Sequence, residues 1–121
     1  MPTLWLLLAL LTPPPATPSA NDPGARAFQR CAACHSVGAN TNNDAGPNLR
    51  GVFGRRAGAV GGFAYSDAMR AAGRRGMVWD AATLDRFLTD PEAAMSGTTM
   101  PYQGGTAAER AAVIAWLRRI D

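Results

Sequence analysis

Lysine is absent from this sequence: all twelve basic side chains are arginine, set against nine acidic ones, for a net charge of +3. So small an excess favours acidic partners only weakly. With no basic run and no interleaving of basic with aromatic residues, the chain lacks the signature of a nucleic-acid binder. Histidine occurs once and cysteine twice. Together they supply three zinc donors where a structural site needs four, and a Ser/His/Asp set would have to use the one histidine. Long hydrophobic runs are missing too. The apolar run Leu4 to Leu11 has eight residues, well short of the ~20 that a membrane-spanning helix needs.

What remains is the composition of one small globular domain. A chain of 121 residues, 47% of them hydrophobic, builds one core and one active centre, and a bound cofactor would help to fill so modest an interior. The first twenty residues differ from the rest: the apolar run is followed by the Pro-rich stretch Thr12 to Pro18 and by the small residues Ser19 and Ala20. This reads as a secretory signal over residues 1–20, with cleavage near Asn21, a mature domain over 21–121 and a periplasmic destination. Residues 80 to 92 carry Asp80, Asp85, Asp90 and Glu92 against Arg86, which predicts an electric dipole.

Four helices are expected and no strands. Asp22 before Pro23 is a cap followed by a first-turn proline, opening a helix that should run to about Cys34. Ser66 to Ala72 should form a short helix closed by Gly73. Asp80 can cap a helix that presents Leu84, Phe87 and Leu88 on one face and ends before Pro91. Thr106 to Glu109 is a capping box. It is followed by Val113, Trp116, Leu117 and Ile120 at the spacing of an amphipathic terminal helix. Residues 36–64 and 89–105 are then long loops, which in a compact domain call for a purpose such as wrapping a large flat cofactor.

The informative element is Cys31-Ala32-Ala33-Cys34-His35. On a helix, thiols three residues apart share a face, so both can add to the vinyl groups of one haem while the next residue turns its imidazole under the iron. A thioredoxin-like redox pair would need an α/β pattern, and a plain disulfide would leave His35 without a task. For the sixth iron ligand Met100 is chosen. It sits between Gly97 and Pro101, which prevent a helix and let the thioether point inward. Met69, Met77 and Met95 are its competitors.

In order along the chain these residues resemble the class I cytochromes c, of the mitochondrial type and the bacterial cytochrome c2-like branch. The matching stretches are Cys31 to His35, Gly46-Pro47-Asn48-Leu49-Arg50-Gly51-Val52-Phe53-Gly54-Arg55, Tyr65 to Ala68, Trp79, Gly97 to Met100, and the terminal helix around Trp116. The resemblance implies an all-α class I cytochrome c fold, three main helices plus a short one, with long loops around one haem c. It implies that Cys31 and Cys34 are the attachment points and that His35 and Met100 are the iron ligands. The Pro47 carbonyl would accept the His35 imidazole N–H, while Arg55, Tyr65, Trp79 and Thr98 would hydrogen-bond the haem propionates. Gly24, Phe28, Trp116 and Leu117 would form the contact between first and last helices. The chain departs from the mitochondrial pattern at Phe87, where an inward tyrosine is usual, at Met69 in place of an asparagine, and in lacking a lysine-rich rim.

A monomeric, soluble carrier of single electrons is therefore expected, not an enzyme. Its partners would be redox proteins, among them membrane complexes, with no nucleic acid and no small-molecule substrate. Two rivals stand beside it: a haem enzyme or gas-binding protein with an open sixth site, and a cytochrome subunit docked on a dehydrogenase or oxidase.

Overall fold

The computed structural model describes residues 10–12, 21–102 and 105–120. Apart from residues 10–12, the expected export segment lies outside them. Five helices follow one another: α1 (Pro23–Phe28), α2 (Asp67–Arg74), α3 (Ala81–Thr89), α4 (Pro91–Ala94) and α5 (Ala107–Arg119). Among the described residues there is no strand, only one isolated antiparallel bridge between Arg56 and Val78.

The caps read from the sequence are in place. Asp22 accepts from the Gly24 N–H, Ser66 from Met69, Asp80 from Thr83 and Thr106 from Glu109, the last two as reciprocal capping boxes. Three boundaries differ from expectation. First, α1 stops at Phe28 rather than near Cys34. The N–H groups of Gln29, Arg30 and Cys31 bond the carbonyls three residues back, at 3.2, 3.3 and 2.7 Å, and this tighter winding turns the Cys motif into successive turns rather than α-helix. Second, Gly73 does not end α2 but lies inside it. A Cβ there would sit 2.1 Å from the Ala57 carbonyl oxygen, so Gly73 permits a close approach, and the chain reverses at Gly76, with φ +86°. Third, α4 stands where loop was expected. Asp90 caps it and Pro91 opens it, the same pairing that starts α1.

The core gathers residues from every part of the chain: Phe28, Val52, Ala57, Ala72, Trp79, Leu84, Phe87, Met95, Val113, Ile114, Trp116 and Leu117 are all buried. α1 lies directly on α5. A Cβ on Gly24 would be 2.3 Å from the Trp116 Cβ and 2.4 Å from the Ala112 carbonyl oxygen, and the Phe28 and Trp116 rings are 5.0 Å apart. The long loop after the Cys motif is tied to the segment before α3. Gly54 N–H donates to Trp79, Trp79 to Arg55 and Ala57 to Met77, at 2.8, 2.9 and 2.9 Å. Side chains alternate along this ribbon, with Ala57 and Trp79 buried and Arg56 and Val78 exposed.

The acidic stretch is largely spent on local structure. Asp80 and Asp90 are caps, Asp85 pairs with Arg110 at 3.0 Å, and Glu92 accepts from the Gly97 N–H at 3.1 Å. Of these carboxylates Asp85 is the one in an ion pair among the described residues, and the caps leave the other charges in place.

Candidate functional site

The tight turns after α1 leave Ala32 and Ala33 exposed and Cys31, Cys34 and His35 half-buried. No disulfide joins the two cysteines. Burial pushes the Cys31 thiol above its ordinary range, with the Arg30 charge pulling the other way, so it is neutral at neutral pH.

His35 is the best-defined side chain of the group. Its Nδ1 is 2.8 Å from the Pro47 carbonyl oxygen. A carbonyl can only accept, so Nδ1 carries the proton. Burial lowers the imidazole pKa, outweighing the Pro47 carbonyl and the Asp44 charge, which raise it. The ring is then neutral and its Nε2 keeps a lone pair, as a metal-ligating histidine requires. The imidazole lies against bare backbone: a Cβ on Gly46 would be 2.4 Å from Cε1, 2.6 Å from Nδ1 and 2.8 Å from Nε2. Gly46 is buried and held in place, its N–H bonding the Cys34 carbonyl at 2.6 Å. No role was expected of Gly46. Its place just before the proline that receives the imidazole was the available signal.

Of the four expected propionate contacts, Arg55 and Trp79 meet on the ribbon. The Trp79 N–H bonds the Arg55 carbonyl at 2.9 Å, and the buried indole packs on Phe87 with ring centroids 5.3 Å apart. The Arg55 guanidinium donates to the carbonyl oxygens of Asn48 and Arg50, at 2.8 and 2.5 Å. The Tyr65 hydroxyl accepts from the Val60 N–H at 3.1 Å. Burial raises its pKa, opposed by that hydrogen bond and by the charge of Arg55. Thr98 is half-buried, and its N–H bonds the Met95 carbonyl at 3.0 Å. Among the described residues, the buried side-chain N–H without a hydrogen-bond partner is that of Trp116, in the contact between α1 and α5.

Met100 is half-buried against the core, in a segment outside any helix that follows Gly97 with φ +88°. Of its competitors, Met95 is buried in the core and Met69 lies within α2. Met77 is tied into the ribbon through its carbonyl. Cys31, Trp79 and Met100 thus meet in one apolar cluster, and His35 is held beside it by Gly46 and Pro47.

These residues fit a haem. Two cysteine sulfurs, a neutral imidazole with an available Nε2 seated on bare backbone, a thioether and the Arg55 guanidinium make up a donor set that suits such a group. The fold and the site therefore define an all-α protein built around one c-type haem.

Comparison with known proteins agrees. The family model for cytochrome c matches residues 22–121. The chain is 43% identical over 83 residues to cytochrome c2 of Rhodoblastus acidophilus, covering 69% of this chain and 75% of that one. It is 43% identical over 95 residues to cytochrome c2 iso-2 of Magnetospirillum fulvum, covering 78% and 95%. Among solved structures, cytochrome c2 from Rhodospirillum Centenum superposes with a TM-score of 0.77 at 34% identity, covering 83% of this chain and 98% of that chain. Cytochrome cH from Methylobacterium extorquens gives 0.71 at 36%, covering 80% and 95%. The chain belongs to the cytochrome c family. It has the all-α class I fold, carries one covalently attached haem c and transfers single electrons.

Proposed function

We propose that Cys31 and Cys34 form the two thioether links, that His35 Nε2 and the Met100 thioether are the axial ligands, and that the protein is a shuttle rather than an enzyme. The observation that carries this is the His35 geometry: Nδ1 committed to Pro47 at 2.8 Å leaves Nε2 as the only nitrogen able to bind iron. When bound, the haem supplies an iron that exchanges one electron between ferrous and ferric states.

The chain's own residues do the rest. Pro47 holds the imidazole's orientation and raises its basicity. The apolar cluster around Met100, Trp79 and Phe87 excludes water, and burial with a thioether ligand favours the reduced state. Trp79, Thr98 and Tyr65 offer hydrogen bonds to the propionates and Arg55 offers charge, so that two carboxylates can be retained in an apolar setting. With His35 and Met100 both holding the iron, no position would be left for a substrate.

The apolar run at Leu4 to Leu11 supports export to the periplasm, where the monomer would meet its redox donors and acceptors, membrane complexes among them. Among the described residues no helix is long and apolar enough to cross a membrane.

Ferric near-infrared spectra of Met69→Ala, Met77→Ala, Met95→Ala and Met100→Ala test the assignment. The band of Met–iron ligation should vanish in Met100→Ala alone, with the haem still covalently attached. Its survival there and loss in another variant would move the ligand. Its absence from the wild-type protein would favour an open-site haem protein.

A further inference from the structure

Two asparagines outside the proposed ligand set converge on the peptide that holds His35. The carbonyl of Pro47, which accepts from His35 Nδ1 at 2.8 Å, belongs to the same planar amide as the N–H of Asn48. That N–H donates to Oδ1 of Asn43 at 2.9 Å. The direction of the carbonyl is therefore set from both ends of one rigid unit. A hydrogen bond on the N–H side also polarises the amide, making its oxygen the better acceptor.

Asn48 anchors this unit with each of its other polar groups. Its Nδ2 reaches Gly38 O, Thr41 O and Thr41 Oγ1, at 3.0, 3.2 and 2.9 Å. Its Oδ1 accepts from the Arg50 N–H at 2.8 Å, and its carbonyl accepts from Arg55 at 2.8 Å. Asn43 is braced in turn by a bond from its Nδ2 to Gly61 O at 3.2 Å. An amide side chain suits such a joint because it offers a donor and an acceptor at once. A carboxylate, hydroxyl or alkyl group at position 48 would leave carbonyls or N–H groups unanswered.

We propose that Asn43 and Asn48 form a polar clamp that aims and polarises the Pro47 carbonyl, making both asparagines positioning residues for the axial imidazole. The clamp rests on the proposed ligation by His35. Neither asparagine touches the imidazole; both act through the peptide between Pro47 and Asn48. The clamp thereby governs how firmly the Nδ1–H···O bond is held, and with it the donor strength of the ligand.

The test is the hydrogen-exchange rate of the His35 Nδ1 proton, followed by NMR in 15N-labelled ferrous holoprotein. Asn43→Ala removes the acceptor and Asn48→Ala removes the anchor. Each should speed exchange by about twofold to tenfold, the equivalent of losing one hydrogen bond. Asn43→Asp keeps the Oδ1 acceptor while giving up the brace to Gly61, so its exchange should be slower than that of Asn43→Ala though faster than wild type. Val113→Ala, a core truncation far along the chain in α5, should lower the melting temperature without changing the rate well below that temperature. Slow exchange in Asn43→Ala and Asn48→Ala, or exchange in Asn43→Asp as fast as in Asn43→Ala, would overturn the clamp while leaving His35 as ligand. A wild-type proton that is unprotected, on an imidazole with the 15N shifts of a free ring, would overturn the ligand assignment and the clamp together.

Discussion

Replacing Gly46 by alanine tests the seat of the imidazole directly. The added Cβ would lie 2.4 Å from His35 Cε1 and 2.6 Å from Nδ1, whereas carbon atoms in contact settle about 3.5–4.0 Å apart. Something must move by about 1 Å. The backbone has little room to yield, because Gly46 donates to the Cys34 carbonyl at 2.6 Å and accepts from the Asp44 N–H at 3.0 Å. The ring therefore retreats, and a displacement of that size takes the 2.8 Å bond to Pro47 past hydrogen-bonding range. Overpacking costs about 1–3 kcal/mol and the lost hydrogen bond about 0.5–1.5 kcal/mol. The combined loss of about 2–4 kcal/mol is a large share of the ~5–15 kcal/mol that holds such a domain together. Thermal and urea unfolding of the holoprotein measure it, with the ferric absorption spectrum reporting on iron coordination. Gly61→Ala is the control: its added Cβ would meet nothing within 4 Å, so it should be neutral or slightly stabilising. If Gly46→Ala unfolds like Gly61→Ala with a native spectrum, the imidazole does not rest on that glycine.

Three further outcomes are expected. Gly24→Ala should destabilise by about 2 kcal/mol or more by forcing α1 off α5, since its Cβ would meet the Trp116 Cβ and the Ala112 carbonyl oxygen at 2.3 and 2.4 Å; unchanged urea unfolding would contradict that packing. Arg55→Ala should lower the reduction potential and cost about 2 kcal/mol, because it removes both a cation near the propionates and charged hydrogen bonds to the Asn48 and Arg50 carbonyls; Arg56→Ala, on the exposed side of the ribbon, should move neither quantity. Hydrogen bonds from the Thr83 backbone and hydroxyl hold the Asp80 carboxyl below its ordinary pKa, so its contribution is fully present above about pH 3.9 and is lost as the pH falls through the depressed value. Asp80→Asn should accordingly flatten the acid limb of the melting-temperature profile, and an unaltered slope would show that the cap is insensitive to charge.

The elements legible in the sequence are those made by residues a few positions apart. Cys31, Cys34 and His35 lie within five consecutive residues, and the caps at Asp22, Ser66, Asp80 and Thr106 each bond an N–H two or three residues ahead. Such signals survive in a linear string because the chain cannot separate the partners. Even α4 was announced locally, by Asp90 before Pro91, although the loop expected around it hid the signal.

Contacts between distant segments were legible only through the family resemblance, which anticipated the bond from His35 to Pro47 and the crossing of α1 on α5 at Gly24 and Trp116. The tertiary structure alone decided the seat of the imidazole on Gly46, the approach of Gly73 to Ala57 and the clamp through 43, 48 and 61. Gly24, Gly46 and Gly73 look alike in the sequence, yet each is required by a different neighbour that only folding brings near. A residue's type states what it can bond or how much room it needs, but its partner is chosen by where the rest of the chain packs.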